Sequence, residues 1–118
     1  MVKHTVSFKN AFHGLFWALK TQPNYKIHFS LSLLSLIAGL LLKISYFEFL
    51  TVLILIFVGL VIETINTALE ETNNAIDQKI REDIGLAKDV AAGAMLIFAI
   101  GALTVACIIF IPKIIFLF

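Results

Sequence analysis

Residues 49–77 read FLTVLILIFVGLVIETINTALEETNNAID. The first half, 49–62, carries no charge and looks bound for the middle of a bilayer. It runs without a break into a segment holding Glu63, Asn66 and Glu70. At helical spacing Glu63, Asn66, Glu70, Asn74 and Asp77 share an arc of about 80°, whereas Thr64 and Glu71 point elsewhere. Random scatter in a polar loop would not align them this way. A charge such as Glu63 costs up to about 2.5–3.5 kcal/mol at the bilayer centre and less toward its edge, so it normally faces a partner or a wet cavity. A solvated exit helix accounts for Glu70 onward. It does not account for Glu63 and Asn66, which follow directly on the apolar run.

The rest of the chain agrees with a membrane setting. Of 118 residues, 60% are hydrophobic and 14% charged, with a mean hydropathy of +0.99. Soluble domains hold about 25% charged residues. The length fits one domain, 1–118. The formal charge of +1 says nothing about nucleic acid, no basic cluster is dense enough to suggest it, and no nucleic-acid partner is expected. Cys107 is the only cysteine, which excludes an intramolecular disulfide and reads as a small packing residue.

The expected fold is all-α: an amphipathic N-terminal surface helix over about 4–20, then spans over about 26–45, 48–70 and 88–111. Phe8, Ala11, Phe12, Leu15, Phe16 and Leu19 form one apolar face of the surface helix, with Lys9, His13 and Lys20 away from it and Trp17 suited to a headgroup boundary. Pro23 in TQPN disfavours a helical Gln22 and ends that helix. Lys43–Glu48 reads as a turn between the first two spans. The third span is the clearest, with no charge from Val90 to Ile111 and an expected end at Pro112 and Lys113.

Basic residues set the expected orientation. Lys3, Lys9, Lys20 and Lys26 precede the first span, and Lys79, Arg81 and Lys88 lie between the second and third. Only Lys43 and Lys113 fall on the other side. The positive-inside rule then predicts a multi-pass protein of the cytoplasmic (inner) membrane, with its N-terminus in the cytoplasm and its C-terminus outside. Three thin helices enclose little, so an oligomer is expected. Ala87, Ala91, Ala94, Gly101 and Ala102 would allow close helix contact.

Carboxylates one or two turns apart have two chemical uses: to hold a hard cation such as Mg2+ through oxygen, or to let one act as a general base. Lys88 and Asp89, in GLAKDVAAGA, open the third span on the same side, and a lysine there suits phosphate. No glycine-rich phosphate loop is present. His4, His13 and His28 stand apart from one another and read as interfacial residues rather than ligands.

ETINTALE (63–70) fits Glu-x-x-Asn-Thr-Ala-x-Glu, and AKDVAAGA (87–94) follows it at a specific spacing. With SFKNAFHGL and the TQPNYKIH turn, these motifs resemble the small prokaryotic integral-membrane diacylglycerol kinases, including the undecaprenol kinases, over nearly the whole chain. The resemblance implies a homotrimer with active sites shared between protomers at the cytoplasmic membrane boundary. It implies ATP and Mg2+, and a membrane lipid alcohol as acceptor. Glu63 would be the general base on the lipid hydroxyl and Asn66 its support. Glu70 would bind the metal of Mg-ATP, and Lys88 with Asp89 would contact the nucleotide. The family usually places a second metal-binding glutamate where this chain has Gln22, and tends to an aspartate where it has Asn74. Asn10 stands where a tyrosine is common. A catalytically degenerate binding protein and a small ion-conducting subunit with Glu63 as its ion site remain alternatives at this stage.

Overall fold

The computed structural model describes residues 4–76 and 82–118, with side chains from Phe8 onward. Asp77, Lys79 and Arg81 lie outside the described residues, and so does Lys3. Four helices follow one another: α1 His4–Thr21, α2 Asn24–Leu42, α3 Tyr46–Ile76 and α4 Glu82–Leu117. The last three are long and apolar enough to cross a membrane, as the composition requires.

Each boundary has a local cause. The α1 helix ends where Thr21 Oγ1 donates back to the Trp17 carbonyl at 2.8 Å and Pro23 interrupts the ladder. The α2 helix ends at Leu42, where the turn beginning at Lys43 was expected and within the span of about 26–45, because Lys43 adopts a left-handed conformation (φ 55°). The Ile44 N–H then reaches the Gly39 carbonyl at 3.1 Å and the Lys43 N–H reaches Leu40 at 3.4 Å, a Schellman closure. A Cβ at Gly39 would sit 2.8 Å from Ile44 Cδ1, so glycine lets Ile44 fold back. Lysine is strained at such a φ. Lys43→Gly is expected to raise stability by about 1 kcal/mol, read as a higher melting temperature in detergent; an unchanged or lower value would contradict this account of the turn.

The α3 helix begins before Glu48, not after it. Ser45 and Glu48 form a capping box, with the Ser45 N–H donating to Glu48 Oε1 at 2.8 Å and the Glu48 N–H to Ser45 Oγ at 3.2 Å. The KISYFE turn is therefore shorter than expected, since Tyr46, Phe47 and Glu48 are already helical. A second correction concerns α4, which continues through Pro112 to Leu117. Proline removes one N–H and crowds the carbonyl four residues back, yet the apolar flanks keep the helix in a medium that favours internal hydrogen bonds. Lys113 reaches Glu48 at 3.8 Å and ties the end of α4 to the start of α3.

The α3 helix lies in the middle, packed on α4 and on α2, while α2 and α4 meet over a smaller area. The molecule measures 56 × 38 × 20 Å, and 20 Å is about two helix diameters. Only 11%, 17% and 6% of the three apolar windows are buried. Most of the apolar surface thus faces outward. Phe8, Phe12 and Phe16 on α1 are also exposed, and among its described side chains only Ala18 and Leu19, near its end, are covered. Cys107 is exposed rather than packed within the protomer.

Candidate active site

The polar arc of α3 turns toward the other helices, and its inner members are buried. Glu63 is 2% exposed, and Asn66 and Thr67 are buried beside it. Thr67 Oγ1 donates to the Glu63 carbonyl at 3.0 Å, a local bond that leaves the carboxylate untouched. Two buried oxygens, Glu63 Oε2 and Asn66 Oδ1, have no hydrogen-bond partner. Buried polar atoms are almost always paired. Two orphans one turn apart mark a site built to receive a polar group.

The α2 helix supplies the opposing wall. Tyr25 is 1% exposed, and its hydroxyl lies 2.7 Å from Thr64 Oγ1. Since Thr64 itself donates to the Leu60 carbonyl at 2.7 Å, Tyr25 is the donor of the pair. This bond fixes the rotation of α2 against α3. One turn along α2, His28 Nε2 lies 3.7 Å from Glu63 Oε2. His28, read from the sequence as an interfacial residue rather than a ligand, is the nearest basic group to the buried carboxylate among the described ion pairs.

Glycine at 59, one turn before Glu63, allows the third wall. A Cβ there would lie 2.6 Å from Phe98 Cζ and 3.5 Å from His28 Nδ1. The Phe98 ring of α4 rests on this bare backbone and beside His28, with ring centroids 6.5 Å apart. Together the three helices line a cavity of about 580 Å³. Asn24, His28 and Glu63 stand at one end, and it runs along apolar side chains to Val52, Ile109 and Phe110. Met95 to Phe110 is about 22 Å of helix. Ser32 and Ser35 also line it, but their hydroxyls donate to the His28 and Leu31 carbonyls. The cavity is a greasy groove with a carboxylate at its head.

The outer members of the arc are nearer water. Asn66 Nδ2 approaches Glu70 Oε1 at 3.5 Å, and both atoms belong to the half-open end of α3. Lys88 Nζ donates to Asn74 Oδ1 at 2.8 Å, bridging α4 to α3. Asp89 is exposed next to it. Gln22 donates to Thr21 Oγ1 at 3.3 Å, and no hydrogen bond joins it to Glu70 among the described residues. No group of three His, Cys, Asp or Glu side chains gathers there either. The structure thus brings Glu63, Asn66 and Glu70 into one row and sets Lys88 on Asn74 nearby, while Gln22 stays with α1. Tyr25, His28, Gly59 and Phe98 were not singled out for the site in the sequence. Only the i, i+3 spacing of Tyr25 and His28 on one face of α2 carried a trace of it.

Fold and site define a small helical membrane protein with a buried carboxylate at the head of an apolar groove. The prokaryotic diacylglycerol kinase family model matches residues 9–110, and the chain belongs to this family of lipid kinases. It is 34% identical over 107 residues to an undecaprenol kinase of Bacillus subtilis (strain 168), covering 91% of this chain and 87% of that protein. It is 32% identical over 108 residues to a diacylglycerol kinase of Synechocystis sp. (strain ATCC 27184 / PCC 6803 / Kazusa), covering 91% of this chain and 62% of that longer protein.

Proposed function

We propose that the protein transfers the γ-phosphoryl group of ATP to the hydroxyl of a membrane lipid, undecaprenol or diacylglycerol, at the cytoplasmic edge of the membrane. The observation that carries this reading is the orphaned Glu63 Oε2 at the head of the apolar groove. A lipid lying along the groove would bring its hydroxyl to that oxygen, and Glu63 would accept the proton as the hydroxyl attacks phosphorus. Asn66 Oδ1, also unpartnered, would orient the same hydroxyl or its water. Lys88 and Asp89 would contact the nucleotide, with Asn74 holding the ammonium without neutralising it. Catalysis would rest on positioning and charge stabilisation, as phosphoryl transfer requires.

Glu70 offers one carboxylate with an amide beside it, a donor set that suits Mg2+ held mainly by phosphate and water. Bound there, Mg2+ would neutralise charge on the transferred group. Gln22 would contribute an amide oxygen from a neighbouring copy in a homotrimer with shared sites. The outward apolar surface, including exposed Ala94 and Gly101 on α4, supports such an assembly. Lacking the second carboxylate, the site would bind Mg2+ weakly. Gln22→Glu is expected to lower the Mg2+ concentration for half-maximal activity by about tenfold, since a second carboxylate adds on the order of 1.4 kcal/mol; identical Mg2+ titrations would reject a role for position 22.

Of the two acceptors we favour undecaprenol. The groove is apolar along most of its length and its serine hydroxyls are committed to backbone carbonyls, which suits a long isoprenoid chain. Reconstituted protein with Mg-ATP and each lipid tests both parts: transfer to undecaprenol that Glu63→Gln abolishes is expected, and no transfer to either lipid by folded protein would overturn the reading.

A further inference from the structure

We propose that His28 positions the Glu63 carboxylate and carries its proton out to the cytoplasmic surface. This rests on the reading of Glu63 as the base. A base that is 2% exposed has a difficulty at the end of each turnover: it must lose the proton it has taken, and water barely reaches it. His28 Nε2 is 3.7 Å from Glu63 Oε2, and its side chain is 18% exposed. Asn24 stands one turn closer to the polar end of α2, about 6 Å away along the helix, and lines the same cavity. His28 thus stands between the buried oxygen and the exposed end of the cavity, which Asn24 marks.

The other groups around His28 do not offer this. On α3, Glu63 is the one titratable residue lining the cavity, and on α4 the lining residues are apolar, beginning with Met95 and Phe98. Lys88 is turned to Asn74. On α2 itself Tyr25 is committed to Thr64, and Lys26 is exposed. Asn66 leads from Glu63 toward Glu70, but a neutral amide does not accept and release a proton. An imidazole ring can accept a proton and release it again. The 3.7 Å contact is longer than a hydrogen bond, and catalytic contacts of this kind often tighten only once substrate is bound.

The lipid O–H bond breaks as its oxygen bonds to the γ-phosphorus. The bond from phosphorus to the β,γ-bridging oxygen breaks, and its electron pair leaves with ADP. The proton passes to Glu63 Oε2, then to His28 Nε2, and the imidazolium releases that Nε2 proton to water at the Asn24 end, which restores the Nδ1–H tautomer. Both side chains return to their starting states.

The experiment compares steady-state transfer by the reconstituted full chain with that of His28→Gln and His28→Ala, with Glu63→Gln alongside. His28→Gln keeps size and polarity but carries no proton, so kcat is expected to fall roughly ten- to a hundredfold while KM for lipid and for ATP stays within about threefold. Imidazole added to His28→Ala should restore part of kcat and should do nothing for Glu63→Gln. In the unaltered protein, steady-state kcat in mixtures of light and heavy water should curve, as expected when more than one proton moves in each turnover. Wild-type kcat in His28→Gln, a loss confined to KM, no response to imidazole, or a linear water dependence would each overturn the proposal. Transfer that needs Glu63 but is indifferent to His28 fails this inference alone, whereas transfer that survives Glu63→Gln fails the reading beneath it.

Discussion

Glu63→Gln is expected to abolish transfer, with a fall in kcat of about 10²- to 10⁴-fold, while the melting temperature in detergent stays level or rises. The two halves of this result have one cause. The carboxylate is buried with an unpartnered oxygen, and a buried charge without full pairing is a burden on the folded state. Glutamine keeps the shape, removes the charge and can donate its amide N–H to His28 Nε2, which lies at the place of the present 3.7 Å contact. It accepts no proton. Activity and stability should therefore part company at this residue. A variant that loses activity because it melts well below the wild type would show instead that Glu63 holds the helices together.

Gly59→Ala should be the most damaging single-methyl change in the protein. Alanine is favoured over glycine inside a helix by about 1 kcal/mol, so on propensity alone the substitution would stabilise. Overpacking costs typically about 1–3 kcal/mol, and here the new Cβ would stand 2.6 Å from Phe98 Cζ and 2.8 Å from Cε2. The ring is wedged between α3 and His28 and has to move. Overpacking wins, so a lower melting temperature is expected. Activity should fall further than stability, by at least about tenfold, because misplacement of a reacting group by 1 Å can cost about 10². Combining Gly59→Ala with Phe98→Leu makes room for the methyl and should recover much of both losses. Full activity in Gly59→Ala, or no recovery in the pair, would remove Phe98 packing as the cause. The undecaprenol and diacylglycerol rates measured on the same variants would also show whether the Phe98 wall contributes to acceptor choice.

The row Glu63–Asn66–Glu70 was legible in the sequence because it depends on one local regularity. Residues three and four apart share a helix face whatever the helix packs against. The three spans followed from the length of uncharged chain needed to cross a bilayer, and the motifs around 63–70 and 87–94 fixed the family that the comparisons then showed. Errors fell at helix ends. At Tyr46–Glu48 a capping box started the helix inside the expected turn, and at Pro112 the expected stop gave way to a helix in an apolar medium.

What joins separate helices was decided only by tertiary structure. Tyr25 meets Thr64, His28 meets Glu63, and Phe98 meets Gly59 across gaps in sequence that periodicity does not bridge. Each contact depends on how far one helix is rotated and shifted against the next. Those two quantities are set by side-chain packing, not by the hydrogen-bond ladder within a helix. The sequence thus determined that a carboxylate row exists at the end of a membrane span. Packing determined that its innermost oxygen is unpartnered, that a histidine stands beside it, and that an apolar groove leads to it.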